Sequence, residues 1–133
     1  MSQENVEIVR RAIAAANRRD VDGYLSCCTE DVRLCPPNEG ILGTSYEGPD
    51  GIRRYFADID ETGRDFTLTV ERLEAVGAHR VLAFLHVTVT GRASGVSVEQ
   101  TTGNVYDLVN GRIESNRIFL DRADALEAAG LSD

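Results

Sequence analysis

The 133-residue chain contains 42% hydrophobic and 27% charged residues, which is ordinary for one globular domain able to bury its own core. Its 22 acidic and 14 basic residues give a formal net charge of −8, which argues against nucleic acid and against an acidic membrane surface, since both attract positively charged proteins. No apolar run is long enough to cross a membrane, and the opening MSQENVEIVRR lacks the apolar core of a signal peptide, so we expect a cytoplasmic protein.

The first part of the chain predicts three helices and one short strand. Apolar residues recur at spacings of three and four along the first helix, at Val6, Val9, Ile13 and Ala16. Asp20 is placed to cap a second helix over residues 21–28, and a strand over residues 32–35 stops at two prolines. Pro49 begins the third helix, whose apolar face consists of Ile52, Tyr55, Phe56 and Ile59.

The second part predicts four strands and a closing helix. Residues 66–76 alternate between apolar and polar side chains, and three longer segments between positions 79 and 121 have the pattern of an antiparallel meander. The middle segment, residues 96–109, would span roughly 45 Å at about 3.3 Å per residue. A strand of that length must bend, and Gly103 is where we expect a bulge. A helix follows Asp121.

This order of elements predicts an α+β fold in one domain over residues 1–133, with helices on one side of a curved, mostly antiparallel sheet. Helices across the open side of such a sheet would make a cone with an internal cavity, and cavities of this kind usually hold small, largely apolar ligands. In the meander strands both the odd-numbered and the even-numbered positions carry apolar side chains, so both faces of the sheet must be covered. The predicted helices cover only one face, so we also expect a homodimer.

Three stretches of the chain resemble the SnoaL-like branch of the nuclear transport factor 2-like, or ketosteroid isomerase-like, superfamily. They are NVEIVRRAIAAANRRDVDGYLSCCTEDV, YEGPDGIRRYF and VYDLVNGRIESNRIFLD, which together with the element order cover nearly the whole chain. The resemblance implies the cone-shaped, cystatin-like fold. It does not decide the function, because the superfamily includes polyketide cyclases, ketosteroid isomerases, epoxide hydrolases, dehydratases and members that only bind or dimerise.

The catalytic positions of these relatives carry other residues here. The oxyanion-stabilising Tyr of ketosteroid isomerases aligns with Ala12, and their general-base Asp aligns with Cys35. The His and Asp of SnoaL-type cyclases align with Asn116 and Ile118, and the Asp of limonene-type epoxide hydrolases also aligns with Ile118. Two hypotheses therefore stand: a small-molecule pocket protein with isomerase-, cyclase- or hydrolase-like acid/base chemistry on an apolar substrate, or a non-catalytic module that binds a ligand or dimerises.

Two residues remain as catalytic candidates. His86 lies within a strand and could serve as an acid or base, or it could be a histidine of the core or of a dimer interface. Asp121 is the acidic residue of the last-strand motif that is still in place. It can instead cap the closing helix, and its parity is opposite to that of Ile118, which we expect to face inward.

The candidate ligand pocket comprises Cys35, Tyr55, Phe56, Asn104, Tyr106, Asn116 and Ile118. Asn104 and Tyr106 share one strand face and could bind a ligand carbonyl, although cross-strand packing explains Tyr106 equally well. Cys35 could line the cavity as a small apolar residue or act as a nucleophile.

We expect no metal and no cofactor, because the three cysteines have no metal-type spacing. We expect the ligand to be neutral or cationic with a large apolar body, given the net charge of −8. Arginine provides all 14 basic residues, which suggests a GC-rich bacterial genome.

Overall fold

The computed structural model describes residues 2–37 and 45–131, in which helices pack on a six-stranded sheet. The described elements in chain order are α1 (Ser2–Asn17), α2 (Val21–Leu25), β1 (Cys28–Cys35), β2 (Tyr46–Glu47), α3 (Gly48–Glu61), β3 (Arg64–Val76), β4 (Arg80–Gly91), β5 (Ser97–Val109), β6 (Arg112–Phe119) and α4 (Arg122–Ala129). Within these residues, no helix combines the length and the apolar character needed to cross a membrane.

The sheet has the strand order β2-β1-β6-β5-β4-β3, and its neighbouring strands are antiparallel except for the parallel pair of β1 and β6. This arrangement confirms the predicted α+β class and the predicted meander of β4, β5 and β6. Two boundaries differ from the sequence prediction. β1 begins at Cys28, where pairing with Ile113 draws residues into the sheet, and α2 ends correspondingly early at Leu25.

Gly103 does not form the predicted bulge. It pairs in regular register with Phe84 on β4 and with Phe119 on β6. A Cβ atom at this position would overlap the methyl group of Ala125 in α4. The glycine is therefore explained by the close approach of a helix. The register shifts lie elsewhere, after Cys28 in β1, after Val70 in β3 and after Asp107 in β5.

Two hydrophobic clusters lie on opposite faces of the sheet. The larger one joins α1, α2 and α3 to the inner-face residues of the strands, such as Val81 and Leu85 on β4. The smaller one joins α4 to outer-face residues, chiefly Leu82 and Val105. The sequence did not indicate that α4 would cover part of the outer face. The homodimer stays a prediction. The argument for it, that an apolar outer face must be covered, now applies only to the part of that face that α4 does not cover.

Two aspartates cap the helix starts as the sequence predicted, and a glycine follows the last helix. Asp20 accepts a hydrogen bond from the Gly23 amide at 2.9 Å, and Asp121 accepts one from the Ala123 amide at 2.8 Å. α4 ends at Gly130, which has a φ of 87° in the left-handed region that glycine tolerates best. All three cysteines are buried, as expected for small apolar side chains, and none of them is joined to another in a disulfide.

The contact between Gly103 and α4 can be tested by a double-mutant cycle. Gly103→Ala should lower the free energy of unfolding by about 1–3 kcal/mol, because the added methyl group overpacks the contact with Ala125. Adding Ala125→Gly should recover part of that loss, even though glycine inside a helix itself costs about 1 kcal/mol. Urea denaturation of the wild type and the three variants measures the coupling. If the two losses simply add, the close approach does not explain the glycine.

The cap at Asp121 gives a second prediction. Asp121→Asn should preserve the melting temperature, because Asn caps nearly as well as Asp, whereas Asp121→Ala should lose roughly 1 kcal/mol. Thermal unfolding followed by circular dichroism measures both. A variant Asp121→Asn that kept its stability but lost turnover of an identified substrate would instead make Asp121 a catalytic residue.

Candidate functional site

A cavity of about 280 Å³ lies between the inner face of the sheet and the three helices α1, α2 and α3. Six of the seven predicted pocket residues line it: Tyr55, Phe56, Asn104, Tyr106, Asn116 and Ile118. Cys35 is not among the lining residues. It pairs with Arg117 in the sheet, whereas the preceding Leu34 pairs with Asn116 and does line the cavity, so Cys35 belongs to the opposite face.

The alternation of side chains along β5 places a row of polar groups along one wall of the cavity. The inward positions are Gln100, Thr102, Asn104 and Tyr106. Gln100 is exposed and lies at the open end of the cavity, whereas Tyr106 is 2% exposed and lies at the closed end. Between them, Asn104 Nδ2 donates a hydrogen bond of 3.0 Å to Thr102 Oγ1. The cavity thus runs along the strand from solvent into the core.

At the closed end, three side chains form a cluster that we call the polar end: Tyr24, Tyr106 and Asn116. Asn116 on β6 lies directly opposite Tyr106 on β5, and Tyr24 enters from α2. Tyr24 is 4% exposed and Asn116 is 5% exposed. The Tyr24 hydroxyl and Asn116 Oδ1 are both buried, and neither makes a hydrogen bond of good geometry with a described residue, although the Asn116 side chain is near enough to Tyr24 and Tyr106 to lower their pKa values in part. Leaving such a group unpaired costs about 1–3 kcal/mol, so the polar end is suited to an oxygen or nitrogen supplied by a ligand.

Burial keeps the tyrosines of the cavity protonated. It raises the pKa of Tyr24 and of Tyr106 well above the ordinary value of 10, and the nearby Asn116 side chain offsets only part of that increase. Burial likewise raises the pKa of Tyr55 to about 12. At neutral pH these hydroxyls can donate or accept a hydrogen bond, but they are not bases.

Among the described lining residues, Arg19 is the one that carries a charge at neutral pH. It follows α1 directly, and its guanidinium carbon lies 5.8 Å from the centroid of the Phe66 ring. Its Nη1 donates to the Ala16 carbonyl at 3.2 Å. The cavity therefore combines a largely apolar wall, a neutral polar end and one cationic group.

Neither of the two catalytic candidates lines the cavity. His86 has the parity of Leu82 and Phe84, which face α4 on the outer side of the sheet. Its Nε2 lies 2.5 Å from Glu99 Oε1, and its Nδ1 lies 3.9 Å from Glu71 Oε2. Asp121 caps α4. These positions favour a role for His86 in pairing with surface glutamates and a role for Asp121 in capping α4. Among the described residues, no group of three or more His, Cys, Asp or Glu side chains could hold a metal ion.

The predicted pocket did not include Tyr24 or Arg19, two residues on which the chemistry of the site depends. Nothing in the sequence related Tyr24 to Asn116, which is 92 positions away along the chain. Arg19 had no signal that distinguished it from the neighbouring Arg18. By contrast, the row on β5 follows from its spacing of two residues.

The raised tyrosine pKa values predict the behaviour of the protein in alkali. All four tyrosines of the chain have a raised pKa, in Tyr46 because its hydroxyl donates to Asp58. A tyrosine with a raised folded pKa binds its proton more tightly in the folded state, so stability is complete below pH 10 and falls as the pH rises towards about 12, the folded value for Tyr55. Absorbance of tyrosinate and circular dichroism, followed together, should change in step. Ionisation of Tyr24, Tyr55 and Tyr106 near pH 10 in a folded protein would contradict the burial of the hydroxyls.

Comparison with protein families gives a match to the SnoaL-like domain over residues 9–116. No curated protein sequence is similar enough to count as a match. Many solved structures share the fold. One is an NTF2-like protein from Burkholderia pseudomallei, with 23% identity over 93% of this chain and 95% of that chain and a TM-score of 0.75.

Two further structures are similar over nearly their whole length. TerC, co-crystallised with polyporic acid, has 22% identity over 96% of this chain and 98% of that chain, with a TM-score of 0.77. A candidate polyketide cyclase from Xanthomonas campestris has 18% identity over 96% and 97%, with a TM-score of 0.78. Identities this low establish the fold alone, whereas the family match covers most of the chain. The chain therefore belongs to the SnoaL-like domain family and has the NTF2-like fold.

Proposed function

We propose that this protein binds a small organic molecule with a largely apolar body and an oxygen-bearing group, and that this group contacts the polar end of the cavity. The observation that carries the proposal is the pair of buried atoms without a hydrogen bond of good geometry, Tyr24 Oη and Asn116 Oδ1, at the closed end of a largely apolar cavity. A hydroxyl donor and an amide acceptor that line the same end of the cavity can satisfy a ligand carbonyl, a ligand hydroxyl or both.

The cavity walls between the open and the closed end favour a ligand with an apolar body. Aliphatic side chains from α1 and β4, such as Ile13 and Leu85, face the aromatic rings of α3 across the cavity. Tyr24, Tyr55 and Phe56 pack edge to face, with ring centroids 5.6 Å and 6.0 Å apart. Ligand pockets usually enclose about 300–1,000 Å³, so a cavity of about 280 Å³ is suited to a small ligand.

The similar structures support this class of ligand without identifying one. TerC was co-crystallised with polyporic acid, and another structure of the same fold is a candidate polyketide cyclase. A small organic molecule within an NTF2-like fold is therefore consistent with proteins of the same architecture.

A second candidate function is catalysis, and the convergence of two tyrosine hydroxyls at the polar end favours it. Tyr24 and Tyr106 can donate to an oxygen that gains negative charge, as in isomerase- or cyclase-like chemistry. No carboxylate or imidazole lines the cavity among the described residues, so they do not supply the general base that hydrolase-like chemistry or proton abstraction requires. Ligand binding is the function that these residues support best.

Removing the Tyr24 hydroxyl separates a binding role from a structural one. Tyr24→Phe should keep or raise the free energy of unfolding of the free protein, by about 1 kcal/mol at most, because it removes a buried hydroxyl without a hydrogen bond of good geometry. The same change should weaken ligand binding by up to about tenfold, because one hydrogen bond to the ligand is lost. Thermal shift and calorimetry with steroid ketones and aromatic polyketides measure both effects.

Tyr46→Phe provides the matched control, since the Tyr46 hydroxyl bonds to Asp58 at 2.7 Å outside the cavity. This variant should leave ligand affinity unchanged. If Tyr24→Phe destabilises the free protein and binds every ligand as tightly as the wild type does, the hydroxyl has a structural role and the proposal is wrong.

A further inference from the structure

We propose that Arg19 makes the cavity selective for organic anions, so that the preferred ligand is an apolar molecule with a carboxylate or ionised hydroxyl group at the Arg19 side and a neutral oxygen at the polar end. This inference rests on the proposed ligand-binding function and names the class of ligand. It concerns the end of the cavity opposite Tyr24 and Asn116.

The backbone of Arg19 is held in a conformation that arginine rarely adopts. Its φ is 58°, in the left-handed region, which costs a residue with a Cβ atom on the order of 1 kcal/mol. The Arg19 amide and its Nη1 both donate to the Ala16 carbonyl, at 3.1 Å and 3.2 Å. These bonds keep the side chain folded back over the end of α1 and against the Phe66 ring, where it lines the cavity.

The charge of Arg19 is not neutralised by an ion pair with any described carboxylate, whereas the adjacent Arg18 lies 3.5 Å from Asp20. The aromatic residues beside Arg19 on the cavity wall are uncharged at neutral pH, and its positive charge lowers the pKa of Tyr55 against the larger effect of burial. Phe66 satisfies the face of the guanidinium but none of its N–H donors. A carboxylate is the partner that these donors fit best, because the guanidinium can bind it with two parallel hydrogen bonds.

The positions of the two ends determine how such a ligand would lie. Phe66, which contacts Arg19, is opposite Val89 in the sheet, and Tyr106 is opposite Val81 on the same strand β4. The Arg19 side and the polar end are therefore eight positions apart along β4. A ligand that contacts both must be elongated, with its apolar body along Leu68, Leu85 and Val87.

This local charge is opposite in sign to the formal net charge of −8, from which a neutral or cationic ligand was expected. At short range the nearest group dominates, because the exposed acidic residues are separated from the cavity by water and by salt. Selectivity is therefore determined by Arg19 and not by the total charge of the protein.

Matched ligand pairs test the inference directly. The probes are naphthalene, anthraquinone and steroid carboxylates, each paired with its uncharged carboxamide. The wild type should bind at least one carboxylate roughly tenfold more tightly than the corresponding amide, as measured by calorimetry. Arg19→Asn should remove this preference while leaving the affinity for the amide unchanged. Asn is the chosen replacement because it tolerates a positive φ, so the variant should fold.

Arg18→Asn is the matched control, because it removes the same charge from the neighbouring, solvent-exposed position outside the cavity. It should keep the preference for the carboxylate. Equal affinity of the wild type for carboxylates and amides, or equal loss of the preference in both variants, would overturn the role of Arg19 and leave the proposed binding function intact. Failure of all probes, charged and uncharged, to bind the wild type would reject both.

Discussion

The two-residue alternation of side chains along β5 is the constraint on which both the cavity and the outer packing depend. Its inward positions, Gln100 to Tyr106, supply the polar wall of the cavity. Its outward positions include Gly103 and Val105, against which α4 packs. A shift of one residue in the register would exchange these two sets, which would bury the wrong side chains and remove the space that α4 requires.

The buried polar atoms at the closed end of the cavity lower the stability of the free protein and are available to a ligand. These two atoms lack a hydrogen bond of good geometry, and a fold selected only for stability would replace them with apolar groups. The sequence resemblance predicted Ala12, Cys35 and Ile118 at positions where related enzymes carry catalytic side chains. The polar groups at the closed end of this cavity come from Tyr24, Tyr106 and Asn116.

The sequence predicted most of the fold because the relevant signals are local. Helical spacing, the cap at Asp121 and the alternation on β5 each involve residues within one element. The failures concern contacts between elements. Sequence alone could not indicate that His86 and Cys35 belong to the outer parity, since either face of a strand can be the inner one. The explanation of Gly103 required the position of α4, and the role of Tyr24 required the three-dimensional arrangement of the cavity.

The separate hydrophobic cluster under α4 has a consequence for how the molecule opens. An eight-residue helix is marginal by itself, and α4 depends on a small set of contacts with Leu82, Val105 and their neighbours. It can therefore detach as a local unfolding unit while the core around the cavity stays intact. Such opening would uncover an apolar patch on the outer face of β4 and β5. Native-state hydrogen exchange and limited proteolysis would then detect the opening of α4 before that of the sheet and the helices around the cavity.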